Sequence, residues 1–181
     1  MSSNRASNTA SNTASNSASN EPGADHAGMT EDAARQILLA RLADQPRSRY
    51  ELAEWLARKN VPDAIAEPLL NRFEELGLID DVAFAQMWIE SRQRTKGLAR
   101  RALSMELRRK GIDDEISRTA LDAIDPETER QGAHRLVQKK LRSLQGVSPQ
   151  IQQRRLLSML ARKGYPSGMA YDVVHDELQE Q

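Results

Sequence analysis

Arg135, Lys139 and Arg142 recur at i, i+4 and i+7 in a stretch that reads as helix, on the face opposite Ala133, Val137 and Leu144. Lys140 adjoins them, and Arg154, Arg155, Arg162 and Lys163 follow. Upstream, a second run holds Arg92, Arg94, Lys96, Arg100, Arg101, Arg108 and Arg109. Guanidinium and ammonium groups stay protonated at neutral pH, so the chemistry open to such sets is the binding of anions. No Asp or Glu occurs between Arg130 and Tyr171. A solvated basic face is the plain reading of that run, and a polyanionic partner for the C-terminal half is the functional one.

Catalytic and metal chemistry find little support. His26, His134 and His175 are far apart, and none has ligand spacing with a partner. The chain has no cysteine, which excludes disulfides and thiolate zinc sites and fits a reducing cytosol. There is no phosphate-cradling glycine loop and no zincin motif. Asp80 and Asp81 resemble a metal pair only superficially. A helix N-cap explains them better, since Ile79 at N′ and Phe84 at N4 have hydrophobic-staple spacing and no third carboxylate is near. Met105 and Met159 read as core filler. We therefore expect no catalytic residue, no cofactor and no metal. No apolar run is long enough to span a membrane, and the N-terminus lacks a secretory apolar core.

The elements that must carry the basic residues repeat with a period of about fifty. Arg58-Lys59-Asn60-Val61, Arg109-Lys110-Gly111-Ile112 and Arg162-Lys163-Gly164-Tyr165 align. The pairs Leu52 and Leu56, Leu103 and Leu107, and Leu156 and Leu160 precede them at i, i+4 on one helix face. Asn60, Gly111 and Gly164 then take the left-handed position after a helix end, with Val61, Ile112 and Tyr165 latched back on the second leucine. Gly77 closes an earlier helix in the same way. Asp63, Asp114 and Ser167 read as N-caps of third helices. Their buried positions are Ile65, Ile116 and Met169, then Leu69–Leu70, Ala120–Leu121 and Val173–Val174. First helices fall at about 31–43, 80–95 (with Phe84, Ala85, Trp88 and Ile89 inward) and 126–144, the last opened by Asp125-Pro126. Ser148-Pro149 opens another helix, and Pro68 should kink the one it interrupts.

The expected fold is all-α, with three tandem three-helix repeats over 30–79, 80–125 and 126–181 forming an elongated curved body. Residues 1–29, rich in Ser, Asn, Thr and Ala, read as a disordered tail. Net formal charge runs from −3 over 31–80 through +1 over 81–125 to +3 over 126–181. A helix-turn-helix reader would need third helices compatible with phosphate. Here they are acidic, with Asp63, Glu67, Glu74 and Glu75, then Asp114, Glu115 and Asp122, then Asp172, Asp176 and Glu177. Sequence-specific reading is disfavoured, and sequence-blind contact with phosphates or an acidic protein groove remains.

The segment GLIDDVAFAQMW, from Gly77 through Asp80, Asp81 and Phe84 to Trp88, followed by Lys96-Gly97 and ELRRKGI up to Ile112, resembles the RecX regulatory family. RSRYEL from Arg47 and the LARKNV segment are similar to the family's first repeat, with Asn60 standing where Gly is usual. The resemblance spans roughly residues 33–178. It implies a cytoplasmic, non-enzymatic modulator of the RecA recombinase. Such a protein lies in the groove of the RecA–single-stranded-DNA filament and depresses ATP hydrolysis, strand exchange and co-protease activity. No heptad suggests a dimer, so a monomer is expected. Two other classes stay open: a DNA-binding helical-repeat protein that acts without RecA, and a scaffold for another acidic partner.

Deleting residues 1–29 is expected to leave the thermal midpoint and the helical circular-dichroism signal nearly unchanged. A large fall in either would show that the tail packs.

Overall fold

A computed structural model describes residues 29–179. Within them the chain forms nine α-helices and no strand. They are α1 Glu31–Asp44, α2 Arg49–Arg58, α3 Asp63–Glu75, α4 Asp81–Lys96, α5 Arg100–Arg109, α6 Asp114–Asp122, α7 Pro126–Leu141, α8 Pro149–Lys163 and α9 Ser167–Gln179. A 3-10 turn, Arg142–Leu144, extends α7. The helices pack in consecutive threes, and each three encloses its own core. Leu52, Leu56, Leu70 and Phe73 centre the first. Phe84, Leu103, Leu107 and Leu121 centre the second. Val137, Leu156, Leu160 and Val173 centre the third. All six leucines of the repeated pairs are fully buried. Most of the tail lies outside the described residues, and Met29, its last residue, packs partly against the first core.

The three aligned turns share one hydrogen-bond pattern. Val61, Ile112 and Tyr165 donate their amides to the carbonyls of Leu56, Leu107 and Leu160, each at 3.1 Å. Asn60, Gly111 and Gly164 donate to Ala57, Arg108 and Ala161. These are the two bonds of a Schellman motif, and all three pivot residues have positive φ. Gly77, also at positive φ, closes α3 with the same pair of bonds, from Gly77 to Glu74 and from Leu78 to Phe73.

Several local expectations shift. Asp63, Asp114 and Ser167 are the first residues of the third helices rather than their N-caps, which lie one residue earlier. The N-cap of α3 is Pro62, whose carbonyl accepts from Ala66, and that of α6 is Asp113, whose side chain accepts from Glu115 and Ile116. Pro166 plays the same part before α9, its carbonyl accepting from Ala170. Proline has no side-chain acceptor, so α3 starts without a side-chain cap. Ser148 occupies its N-cap position without a side-chain bond. Asp80 does cap α4, accepting from Ala83 at 2.9 Å. Ile79, however, belongs to the first core and Phe84 to the second, so the expected staple does not join them. Met105 is 57% exposed rather than core filler, because Leu103 and Leu107 define the inner face of α5 and position 105 points away. Met159 does pack against the third core. The α3 helix continues through the exposed Pro68.

The units meet through their second helices. The start of α2 meets the end of α5: Ser48 Oγ donates to the Lys110 carbonyl at 2.6 Å, and Lys110 Nζ reaches Glu51 at 2.5 Å. The start of α5 meets the end of α8 in the same way, with the Ala99 amide donating to the Lys163 carbonyl at 2.9 Å. A carboxylate from the following unit's first helix then takes the next amide. Arg49 N donates to Asp81 at 2.9 Å and Arg100 N to Glu129 at 2.8 Å. Burial pushes the Asp81 carboxyl up, against the lowering effect of the Arg49 amide.

The approach at both joints is close. A Cβ on Gly111 would come within 2.2 Å of the Tyr50 side chain, and one on Gly164 within 2.5 Å of the Ala102 amide nitrogen. Among the described residues no other unit packs on the equivalent turn of the first, where Asn60 is an exposed left-handed residue. At the other end, α8 runs 15 residues where α2 and α5 run 10. Gln152, aligned with Ser48 and Ala99, is therefore buried inside a helix and donates to the Leu144 carbonyl at 3.0 Å. The start of α8 therefore offers no joint of this kind.

Asn60→Gly is expected to change stability by less than about 0.5 kcal/mol. Gly111→Ala should cost more than about 1 kcal/mol, since it adds contact with Tyr50 to the backbone penalty. Urea melts of the two variants check this, and equal effects would contradict the joint as described.

Candidate functional site

The cations of the sequence fall into two groups. The first holds the structure together. Arg92 and Lys96 converge on Glu106 at 2.9 and 3.6 Å. Glu106 also accepts from Trp88 Nε1 at 3.0 Å. The Trp88 ring carries Arg92 at 3.9 Å and Lys110 at 4.4 Å from its centroid, and stacks on Phe84. Arg100 lies 3.6 Å from Glu129 and 3.9 Å from Asp122, and donates to the Ile124 carbonyl. Arg108 pairs with Asp114 at 3.3 Å, and Lys163 donates to the Lys96 carbonyl. In the first unit, Arg49 is clamped by Glu67 and Glu74. The acids of the third helices thus serve mainly to neutralise arginines of their own units.

The second group has no acidic partner among the described residues. It comprises Arg94, Arg101, Arg109, Arg135, Lys139, Lys140, Arg142, Arg154, Arg155 and Arg162 from the sequence reading, together with Arg118. Four of them converge. Lys140 from α7 and Arg154, Arg155 and Arg162 from α8, with Ser158 and Met159, line a groove of about 630 Å3. The fold puts them there through burial elsewhere. Leu156 and Leu160 turn one face of α8 into the core, as Ala133, Val137 and Leu141 do for α7, which leaves the basic arcs at the mouth between the helices. No carboxylate lines this groove, so the four cations repel one another until an anion enters.

The structure separates residues that the sequence placed on one face. Arg135 joins Arg94 in a groove of about 430 Å3 at the boundary of the second and third units, beside Glu90, Glu129 and Tyr165. Burial, and then the charge of Glu129, push the Tyr165 phenol up to about 12, so it faces this groove uncharged. Lys139 and Arg142 are exposed on α7 and line neither groove. A third groove of about 460 Å3, between α5 and α6, interleaves Arg100, Arg101, Arg108 and Arg118 with Asp114 and Asp122. Arg109 is exposed and lies in none of the three. Arg118 escaped the sequence reading because it sits in an acidic helix and a segment sum hides it. Ser158 and Met159 lacked any signal before α7 and α8 were seen to meet.

Of the other residues weighed for chemistry, His134, Asp80 and Asp81 have structural partners. His134 Nδ1 lies 2.7 Å from Glu177, which also accepts from Gln138. Asp80 and Asp81 serve the α4 cap and the first joint. His26 lies outside the described residues. Among the described residues no three acid or imidazole groups gather to hold a metal ion, and no helix is long and apolar enough to cross a membrane.

Comparison with known proteins gives one consistent result. Three family models match in order: the first, second and third three-helix domains of RecX, over residues 34–73, 80–121 and 127–174. The chain is 43% identical to the regulatory protein RecX of Thermobifida fusca, over 81% of this chain and 79% of that one. It is 44% identical to that of Streptomyces coelicolor, over 89% and 93%. The crystal structure of RecX from Lactobacillus salivarius superposes with a TM-score of 0.75 at 22% identity, covering 83% of this chain and 97% of that one.

Replacing Arg154 and Arg155 with Glu should move stability by less than about 0.5 kcal/mol, because neither holds a partner. Glu106→Ala should cost about 1–3 kcal/mol, because Trp88 Nε1 and Arg92 lose a shared acceptor in a half-buried setting. Thermal melts rank the two. A double charge reversal more damaging than Glu106→Ala would overturn this division of the cations.

Proposed function

We propose that this chain, which belongs to the RecX family of regulatory proteins, binds the RecA–single-stranded-DNA filament and restrains RecA's ATP hydrolysis, strand exchange and co-protease function. The observation that carries the reading is the groove of four unpaired cations between α7 and α8. Sequence-blind cation clusters of this kind suit a phosphate backbone, whose charge draws Lys and Arg without base contacts. A filament supplies such a backbone together with carboxylates. The reading has no catalytic step. Binding alone acts, by favouring one state of the filament over another. It also has the protein act as a monomer in the cytoplasm, and the extra length of α8 supports the first point by leaving no free second-helix start for another copy.

Within this reading the grip lies on Lys140, Arg154, Arg155 and Arg162, with Lys139 and Arg142 beside them and Arg135 contributing less. The test is RecA's DNA-dependent ATPase with the protein titrated in. Lys140, Arg155 and Arg162 changed together to Glu should raise the concentration for half-inhibition at least about tenfold. The triple change of Arg135, Lys139 and Arg142 should have a smaller effect. Arg35→Glu, in the acidic first unit, should change little. Full inhibition by the first variant would remove the groove from the mechanism. No inhibition by the unaltered protein would remove RecA from it, leaving a DNA-binding protein that works alone.

A further inference from the structure

The α8 helix borders a second groove of opposite character on another side. It measures about 600 Å3, and Leu157, Ala161, Pro166, Ala170 and Tyr171 give it an apolar floor. Arg101, at the start of α5, stands on its rim. Ala161, Pro166 and Tyr171 are exposed, Tyr171 at 54%, so the groove opens to solvent. A concave apolar surface of this volume facing water is the usual form of a binding site.

The charges around it narrow the occupant. No carboxylate lines the groove, and Arg101 has no ion partner among the described residues, whereas its neighbour Arg100 is held by Glu129 and Asp122. The cluster fit for phosphates lies elsewhere on α8, around Arg154, Arg155 and Arg162, so a nucleic-acid strand seated there leaves this groove free. Apart from the arginines, only Ser167 and the two tyrosines bring side-chain hydrogen-bonding groups to the lining, a poor match for a sugar–phosphate chain. We infer that the groove receives a short acidic segment of a partner protein, with one bulky apolar side chain in the floor and a carboxylate on Arg101. Its walls come from two units, with Arg100 and Arg101 in the second and the rest in the third, so the bound segment also braces the joint between Ala102 and Gly164. The inference stands apart from the filament reading, because any protein presenting such a segment would fit.

The test is a fluorescence-anisotropy titration of the full chain against a labelled short peptide carrying one Phe among aspartates. Saturable binding is expected. Arg101→Glu and Ala161→Trp, both at exposed positions, should each weaken it at least about tenfold, and Arg155→Glu should change it less than about twofold. Changing the peptide's Phe to Ser should abolish it. Tyr171→Ala, which removes only an exposed ring, is the second variant should Ala161→Trp lose its helical signal, and it too should weaken binding. Absence of saturable binding to the unaltered chain would overturn the inference. So would binding indifferent to Arg101 and Tyr171, or binding lost with Arg155→Glu and displaced by oligothymidylate, which would assign the peptide to the basic groove.

Discussion

A helix leaves carbonyls without donors at its end and amides without acceptors at its start. At two joints in this protein a helix end meets a helix start, and part of each need is satisfied there. The C-cap carbonyls of Lys110 and Lys163 receive donors from the starts of α2 and α5, and Asp81 and Glu129 take the amides that follow. Negative helix ends thereby face positive helix starts, a favourable dipole arrangement. The contact requires a chain reversal tight enough to bring backbone against backbone. That is why Gly111 and Gly164 are glycines in a sense that Asn60 is not. Three small cores, each of one unit, become one body through these joints, and the apolar groove along α8, walled by two units, exists because the units are held in this register.

The same economy governs charge. A neutral chain could hold its cations in evenly scattered pairs. Here the acids are concentrated where arginines must be anchored: Glu106 under Trp88, Glu67 and Glu74 around Arg49, and Asp122 and Glu129 around Arg100. The third unit has few acids along α7 and α8, and apart from Arg130, which pairs with Asp172, its arginines stay unpaired. In the proposed function, binding specificity comes from where acids are lacking, and a ligand that supplies closely spaced negative charge relieves the repulsion among Lys140, Arg154, Arg155 and Arg162.

Much of the fold was legible because it is written in local signals that repeat. Leucine pairs one turn apart and a left-handed residue after each second helix mark three cores and three turns without any knowledge of tertiary contacts. The cap at Asp80 was equally local. The joints were not legible. Arg49 bonds a carboxylate 32 residues away and Arg100 one 29 residues away, and neither separation has a periodic signature. Ser48 with Glu51 forms a capping box that the sequence does display, and it would have located the start of α2. The candidate site was legible as a charge run but not as a surface. Helical spacing grouped Arg135 with Lys139 and Arg142, whereas packing of α7 on α8 brings Lys140 to Arg155 instead. Pairing cannot be read from composition, so the structural roles of Arg92, Lys96, Arg100, Arg108 and Lys163 emerged only with their partners.

In the proposed function the unpaired cations of the third unit make a screened electrostatic grip. Its most direct test is the salt dependence of binding to the RecA–single-stranded-DNA filament, plotted as log affinity against log salt concentration. Replacing Lys140 and Arg155 with Gln should make the slope shallower by somewhat under one for each cation removed, on the order of 0.7 for single-stranded DNA, with the helical signal intact. A slope indistinguishable from that of the unaltered protein would contradict the claim.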